Sequence, residues 1–452
     1  MSRTKRLASF ASLAAAAFAL SACQTVGNMF GGGDDTPSAA NAAPQDGRIS
    51  ILAFEQQLAP DPALAGRAIV TPPAVPVGEW TQPGGTADNS PPHSSGAAVL
   101  ERAWRANLGA GSNNRVQLAA PPVIADGRLY FLDAAQRVHA IGARDGERAW
   151  NASVRGENGD RNARGGGLAV SGGRVFVTTG HGELVALDGS SGAEVWRVAA
   201  GAPFHSAPTV AGGRVYAITN DSELMAFDAG NGEVQWTFQA IAETARILSA
   251  PSVAIDGETV VAPFASGEVV AFLTANGRRL WADSLSRTSS LTSLSAINDI
   301  AGRPVIDNGV AFAVIHSGLI AAIDVRSGQR IWSRGFASTQ TPWIAGDVLY
   351  AVSVDGELAA FDRTSGAVYW VSQLRRYRNE NSREGRLSWT GPIMVGGRLV
   401  LANSVGDVIG VSPQNGEVIA RADVGDPVFV PPIAANDQIY VVTNKAQLHV
   451  LR

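Results

Sequence analysis

Seven near-identical stretches dominate this chain. In each, an apolar run ends in a turn closed by a glycine, and in six of them the fourth residue beyond that glycine is tryptophan. The clearest copies run from Gly182 to Trp196 and from Gly356 to Trp370. The turn glycines are Gly146, Gly192, Gly232, Gly277, Gly328, Gly366 and Gly416, with a mean spacing of 45 residues. A fixed period of this size belongs to a repeat architecture. Each period holds two strand-like runs before its turn, a third that ends at the tryptophan, and a more variable fourth. Four short antiparallel strands in about 45 residues is one blade of a β-propeller.

The pattern inside the strands points the same way. Val185 and Leu187 should face one side of their strand, and Leu184 and Ala186 the other. Both faces are apolar, so both should be covered, as they are for a sheet held between two others. The tryptophan column reads Trp104, Trp150, Trp196, Trp236, Trp281, Trp332, Trp370 and then Ala420. The first-strand starts also number eight, at Pro122, Leu168, Pro208, Pro251, Pro304, Pro342, Pro392 and Pro432. The last copy stops at Ala446–Leu451 without a turn or a tryptophan strand, and the segment 98–104 supplies the missing strand. The expectation is an all-β, eight-bladed propeller over residues 98–452. Its ring closes by pairing the N-terminal strand with the C-terminal blade, which removes an open edge.

The Ala-x-Asp-x-x-Ser/Thr-Gly-x-x-x-Trp pattern resembles the repeat of quinoprotein-type (PQQ-like) propellers. That resemblance implies that each tryptophan docks between adjacent blades. Asp188, Asp228, Asp324 and Asp362 match the pattern, while Gly142, Leu273 and Ser412 depart from it. These aspartates read as turn-forming side chains that bond their own backbone, not as metal ligands.

The N-terminus has a basic start (Arg3, Lys5, Arg6) and an apolar stretch from Leu7 to Leu20, the marks of a secretory signal. The sequence Leu20-Ser-Ala-Cys23 resembles a bacterial lipobox and contains the chain's sole cysteine. The expectation is a signal peptide over 1–22, then a Cys23 lipid anchor, stable because more than one acyl chain is attached. Gln24 in place of aspartate suggests the outer membrane, with the soluble part at its periplasmic face. Residues 23–97, rich in Gly, Ala, Pro and Ser, read as a flexible tether with a possible docking segment at 48–58. No second apolar run of 18 residues exists, so no transmembrane helix is expected. A single cysteine allows no disulfide within the chain. Loss of residues 1–22 removes three basic and no acidic residues, which takes the net charge from −4 to −7 and argues against a nucleic-acid partner.

A catalytic set does not emerge. The six histidines form no metal-binding pair of the HExxH kind, and neither a phosphate loop nor a Gly-x-Ser-x-Gly elbow is present. His139 and His449 hold equivalent places in their second strands and read as packing or rim positions, and His181 and His316 precede second strands. The reading is non-enzymatic, with no cofactor and no metal. A quinoprotein-like dehydrogenase stays open as an alternative, although the vicinal cysteine pair often found in such enzymes is ruled out here.

A lipoprotein with such a ring and no catalytic set resembles the accessory lipoproteins of the β-barrel assembly machinery. The resemblance implies binding to the POTRA domains of BamA, contact with other subunits of that complex, and assistance in assembling and inserting outer-membrane β-barrel proteins, with unfolded substrates as further partners. It places the BamA contact on two neighbouring interblade loops. One carries Arg246; the family's leucines beside it fall on Glu243 and Ala245, a departure that leaves Ile247 or Leu248 to supply the apolar part. The other carries Asp299, exposed, with Ala301 where a second acidic residue is expected. The charged insertion 374–386 is a second candidate surface. A scaffolding lipoprotein with an unrelated partner also stays open.

Overall fold

The computed structural model describes residues 58–96, 99–156, 164–204, 206–243, 251–285 and 299–452. The signal segment, Cys23, nearly all of segment 48–58, and Arg246, Ile247 and Leu248 lie outside the described residues. Eight four-stranded antiparallel sheets form the ring, as the repeat predicts. Blade 1 holds Val123–Ala125, Arg128–Leu132, Arg137–Gly142 and Arg148–Ser153. Blades 2 to 7 follow at 166–199, 209–239, 254–284, 305–335, 343–373 and 389–423. Blade 8 joins Ile433–Ala435, Gln438–Val442 and Gln447–Leu451 to the early strand Arg102–Asn107. Trp104 pairs with Val450 and Asn107 with Gln447. Glu101 and Arg452 then exchange backbone hydrogen bonds at 3.3 and 2.9 Å, so the two ends of the ring meet in one ladder.

The two apolar faces of each blade have separate neighbours. Val185 and Leu187 join a cluster with Val123, Val138 and Ala140 of blade 1. Leu184 and Ala186 join another with Val215, Ala217 and Phe227 of blade 3. All four are buried, as expected for strands covered on both sides.

Each tryptophan lies against the turn glycine of the following blade. A Cβ on Gly146, Gly192, Gly232, Gly277, Gly328, Gly366 or Gly416 would stand under 3.0 Å from the tryptophan of the preceding blade. All seven glycines also have φ between +67° and +80°, a region costly for other residues. All of these indole N–H groups but that of Trp104 reach carbonyls of the same turns. Trp150 donates to Gly189 at 3.0 Å, Trp236 to Thr274 at 3.0 Å, Trp332 to Arg363 at 2.8 Å and Trp370 to Pro413 at 3.0 Å. In seven blades the outermost strand shifts register one step before the tryptophan position, and in blade 8 the shift lies between Arg102 and Trp104. Such a bulge re-aims the side chain that follows it, here toward the next blade.

The turn aspartates act as the residue type predicts. Asp188 Oδ1 accepts from the backbone N–H of Ser190 and Ser191 at 3.0 and 2.9 Å, and from both hydroxyls. Asp362 repeats the arrangement with Thr364 and Ser365. Where Gly142 replaces the aspartate, the Asp145 carboxylate occupies the space that a Cβ would fill.

Candidate functional site

One end of the central channel is closed by the chain itself. The innermost strand of every blade has one edge turned to the channel, and its backbone groups need partners. Residues 75–96 supply them. Val77 O accepts from Asn436 N of blade 8 at 2.7 Å, and Trp80 exchanges two 2.8 Å hydrogen bonds with Ile124 of blade 1. Thr81 O accepts from Val170 N of blade 2 at 2.8 Å. The Gln82 amide makes two 3.1 Å bonds with the Val210 backbone of blade 3. Ala87 O and Asp88 O accept from Ile255 and Ile306 of blades 4 and 5 at 2.8 and 2.9 Å. Trp80 stacks on Trp343 of blade 6, with centroids 6.4 Å apart. Ser94 bonds Met394 and Gly396 of blade 7 at 3.3 and 2.9 Å. One short segment thus touches all eight blades.

For residues 58–96 this corrects the reading as flexible tether. That stretch is built into the ring. Upstream of the plug, Asp61 N donates to Val368 O at 2.8 Å and Arg67 approaches Asp362 at 3.5 Å, both in blade 6. Proline and glycine serve a chain that turns tightly across a channel as well as one that does not fold. Composition alone does not separate the two, but Trp80, Gln82 and Asn89 are the residues that signal burial, each at most 4% exposed.

Above the plug the channel opens as a funnel, a cavity of about 240 Å³. Trp80 and Asn89 of the plug contribute to its lining. The walls come from the loops that lead into the inner strands of blades 1, 5, 6 and 8, including Leu118, Arg303, Thr341 and Val428, and from the start of the inner strand of blade 7 at Trp389. Phe429, half exposed, also lines it.

The expected loop contact is altered by the structure. Asp299 is 1% exposed, not an exposed loop residue, and its carbonyl accepts from His316 N at 3.3 Å. A carboxylate so covered cannot meet a partner directly. Its loop runs on to Arg303, also buried, whose backbone N–H donates to Thr341 Oγ1 at 3.1 Å.

The insertion 374–386 forms an exposed two-stranded hairpin, Tyr377–Asn379 against Glu384–Arg386. Arg376 and Arg386 both reach Asp355, and Arg375 reaches Asp407 at 3.4 Å. The hairpin is therefore anchored by acidic residues of blades 6 and 7.

Three of the histidines fill structural places. His139 Nε2 meets Asp133 Oδ2 at 3.0 Å, and Ala110 N donates to the same oxygen. Burial pushes the Asp133 carboxyl up, but these bonds outweigh it and leave its pKa below the usual value. His449, the equivalent residue of blade 8, is held below the ordinary histidine value by burial and by Arg102 and Arg105. His93, in the plug, accepts from Gly397 N at 2.9 Å, and its other ring nitrogen lies 2.8 Å from Pro72 O. Among the described residues no group of three or more His, Cys, Asp or Glu is placed to hold a metal ion.

Comparison with known proteins follows the same lines. The profile of a family described as outer membrane protein assembly factor BamB matches residues 99–163 and 134–372, more than half of the chain. The BamB of Alkalilimnicola ehrlichii is 29% identical over 210 residues, 46% of this chain and 52% of that protein. The Escherichia coli K12 protein of the same name is 27% identical over 194 residues, 43% of this chain and 47% of that one. The matches thus span about half the length of these curated relatives. The crystal structure of BamB from Moraxella catarrhalis superposes with a TM-score of 0.66 at 21% identity, covering 78% of this chain and all of that one. Repeat, ring and profile agree that the chain belongs to the family of the outer membrane protein assembly factor BamB.

Proposed function

We propose that this chain is a non-catalytic scaffold lipoprotein of the β-barrel assembly machinery. It would bind the POTRA domains of BamA, sit with the other subunits of that complex, and assist the assembly and insertion of outer-membrane β-barrel proteins. The observation that carries this reading is the family match across residues 99–372. The plug supports it: with one channel end filled by the chain's own backbone, interblade loops and outer strands are the large surfaces left for a protein partner.

The docking surface on this reading centres on Arg246, Ile247 and Leu248. Asp299, being buried, is withdrawn from direct contact. Charge on such loops sets encounter rate and specificity more than affinity, so reversal of Arg246 is the sharpest probe. Arg246→Glu is expected to abolish co-purification with BamA while circular dichroism and melting stay unchanged. Retained binding would place the interface elsewhere on the ring. Anchoring through Cys23 at the periplasmic face of the outer membrane is part of the same proposal. Cys23→Ser should move the protein into the soluble fraction, and unchanged membrane fractionation would overturn the anchor.

A further inference from the structure

Among the described residues the funnel carries one formal charge and no counter-charge. Of its described lining residues only Arg303 is ionisable, and none is a carboxylate. Arg303 is 7% exposed, and its Nε is buried without a hydrogen-bond acceptor among the described residues. Desolvation alone lowers its pKa to about 10, with no nearby acid to raise it. A guanidinium largely withdrawn from water, with its Nε lacking an acceptor, is unfavourable.

Two more donors at the cavity share the condition. The indole N–H groups of Trp80 and Trp343 are buried without acceptors among the described residues, and Asn89 Oδ1 is a lone acceptor in the same state. The rest of the lining mixes apolar and aromatic side chains, among them Leu118, Trp389, Ile393, Val428 and Phe429, with the neutral polar groups of Gln117, Thr339, Gln340, Thr341, Ser388 and Thr390. A dry cavity of about 150 Å³ holds a benzene ring. The 240 Å³ here leaves room for a ring and an acidic group.

We propose that the funnel is a binding site for a small aromatic carboxylate, its carboxylate paired with Arg303 and its ring set among Trp80, Trp343 and Trp389. The guanidinium fork matches a carboxylate in geometry and charge. The plug makes the site one-ended, so the ligand enters from the loop face. The site is independent of the partner-binding reading, because it rests on residues of the channel.

Titration of the folded chain with sodium benzoate, benzamide and sodium phosphate tests this, read by tryptophan fluorescence and melting temperature. Benzoate is expected to give a saturable fluorescence change and to raise the melting temperature, at least about tenfold more tightly than the isosteric neutral amide. Phosphate should bind more weakly than benzoate. Arg303→Met should lose the preference for benzoate over benzamide and be no less stable than wild type without ligand. Arg303→Lys should keep the preference at reduced affinity. Equal response to benzoate and benzamide, phosphate as effective as benzoate, or loss of fold in Arg303→Met with no benzoate preference in wild type would each overturn the proposal. The wild-type comparison decides whether or not the variants fold.

Discussion

Six junctions of the ring, from blade 1 to blade 7, are made by a covalent chain, and the tryptophan of one blade covers the turn of the next. The junction between blades 7 and 8 differs. Ala420 stands in the tryptophan column. The turn it would cover does not exist, because the third strand of blade 8 ends at Leu451 and the fourth comes from Arg102–Asn107. The tryptophan is missing at the one place where its receptor is missing. At the next junction, blade 8 to blade 1, Trp104 covers Gly146, but the hydroxyl of Tyr440 donates to the Ala143 carbonyl at 2.9 Å and the Trp104 N–H has no acceptor among the described residues.

The apolar core changes in step. Between blades 1 and 6 the buried side chains fall into separate clusters, each shared by two neighbouring blades. From blade 6 through 7 and 8 to blade 1 they merge into a single cluster that also takes in Trp80 of the plug. Where the latch is absent and the chain is interrupted, continuous burial holds the ring. Repeats that each touch only their neighbours tend toward independent stability terms, and this cluster ties the weakest part of the series together.

This contrast can be broken by substitution. Trp332→Ala empties a buried site where the indole stacks on Phe361 at 6.5 Å, and is expected to cost about 3–5 kcal/mol in denaturant unfolding. Ala420→Gly at the unlatched junction should cost no more than about 1 kcal/mol. Similar losses at both would mean that the latch carries no special share. Next in size, Gly366→Ala forces a Cβ against Trp332 at a φ of +67° and is expected to cost about 1–3 kcal/mol. Combined with Trp332→Ala the loss should be less than additive, since the two share one contact. Strict additivity would separate glycine from tryptophan.

The smallest effect concerns acid. Hydrogen bonds from Ser190 and Ser191 lower the Asp188 pKa to about 2. A carboxyl depressed on folding adds stability that is complete above its unfolded value near 4 and is lost as pH falls toward 2. Asp188→Asn should flatten the acid limb of a melting-temperature profile over that window and leave it unchanged above pH 5. A parallel profile would mean that the turn bonds do not respond to charge.

Repeat, blade count and closure were all legible because the turn glycine and tryptophan recur at one period and both strand faces are apolar. The plug was hidden for a physical reason. Residues 75–96 make only one or two contacts with each of eight different sheets, so they follow no period of their own. Asp299 misled for a related reason: a charged residue in a loop reads as exposed unless the loop is known to fold back into the ring. The funnel was equally invisible, since its lining comes from the plug and from segments at the entry to five blades, far apart in sequence.

The plug also has a consequence for the order of events. Val77 waits for Asn436, Ser94 for Met394, and the strand at Trp104 for Val450. Contacts so distant in sequence slow folding, because long loops must close before they are rewarded. A chain emerging from its N-terminus carries two unmated segments until almost the whole polypeptide has followed. During that interval the edges they later cover are open to other strands. The finished ring is insensitive to this, but its birth is not: a nascent chain of this design leaves those edges open for about as long as it takes to complete its own synthesis.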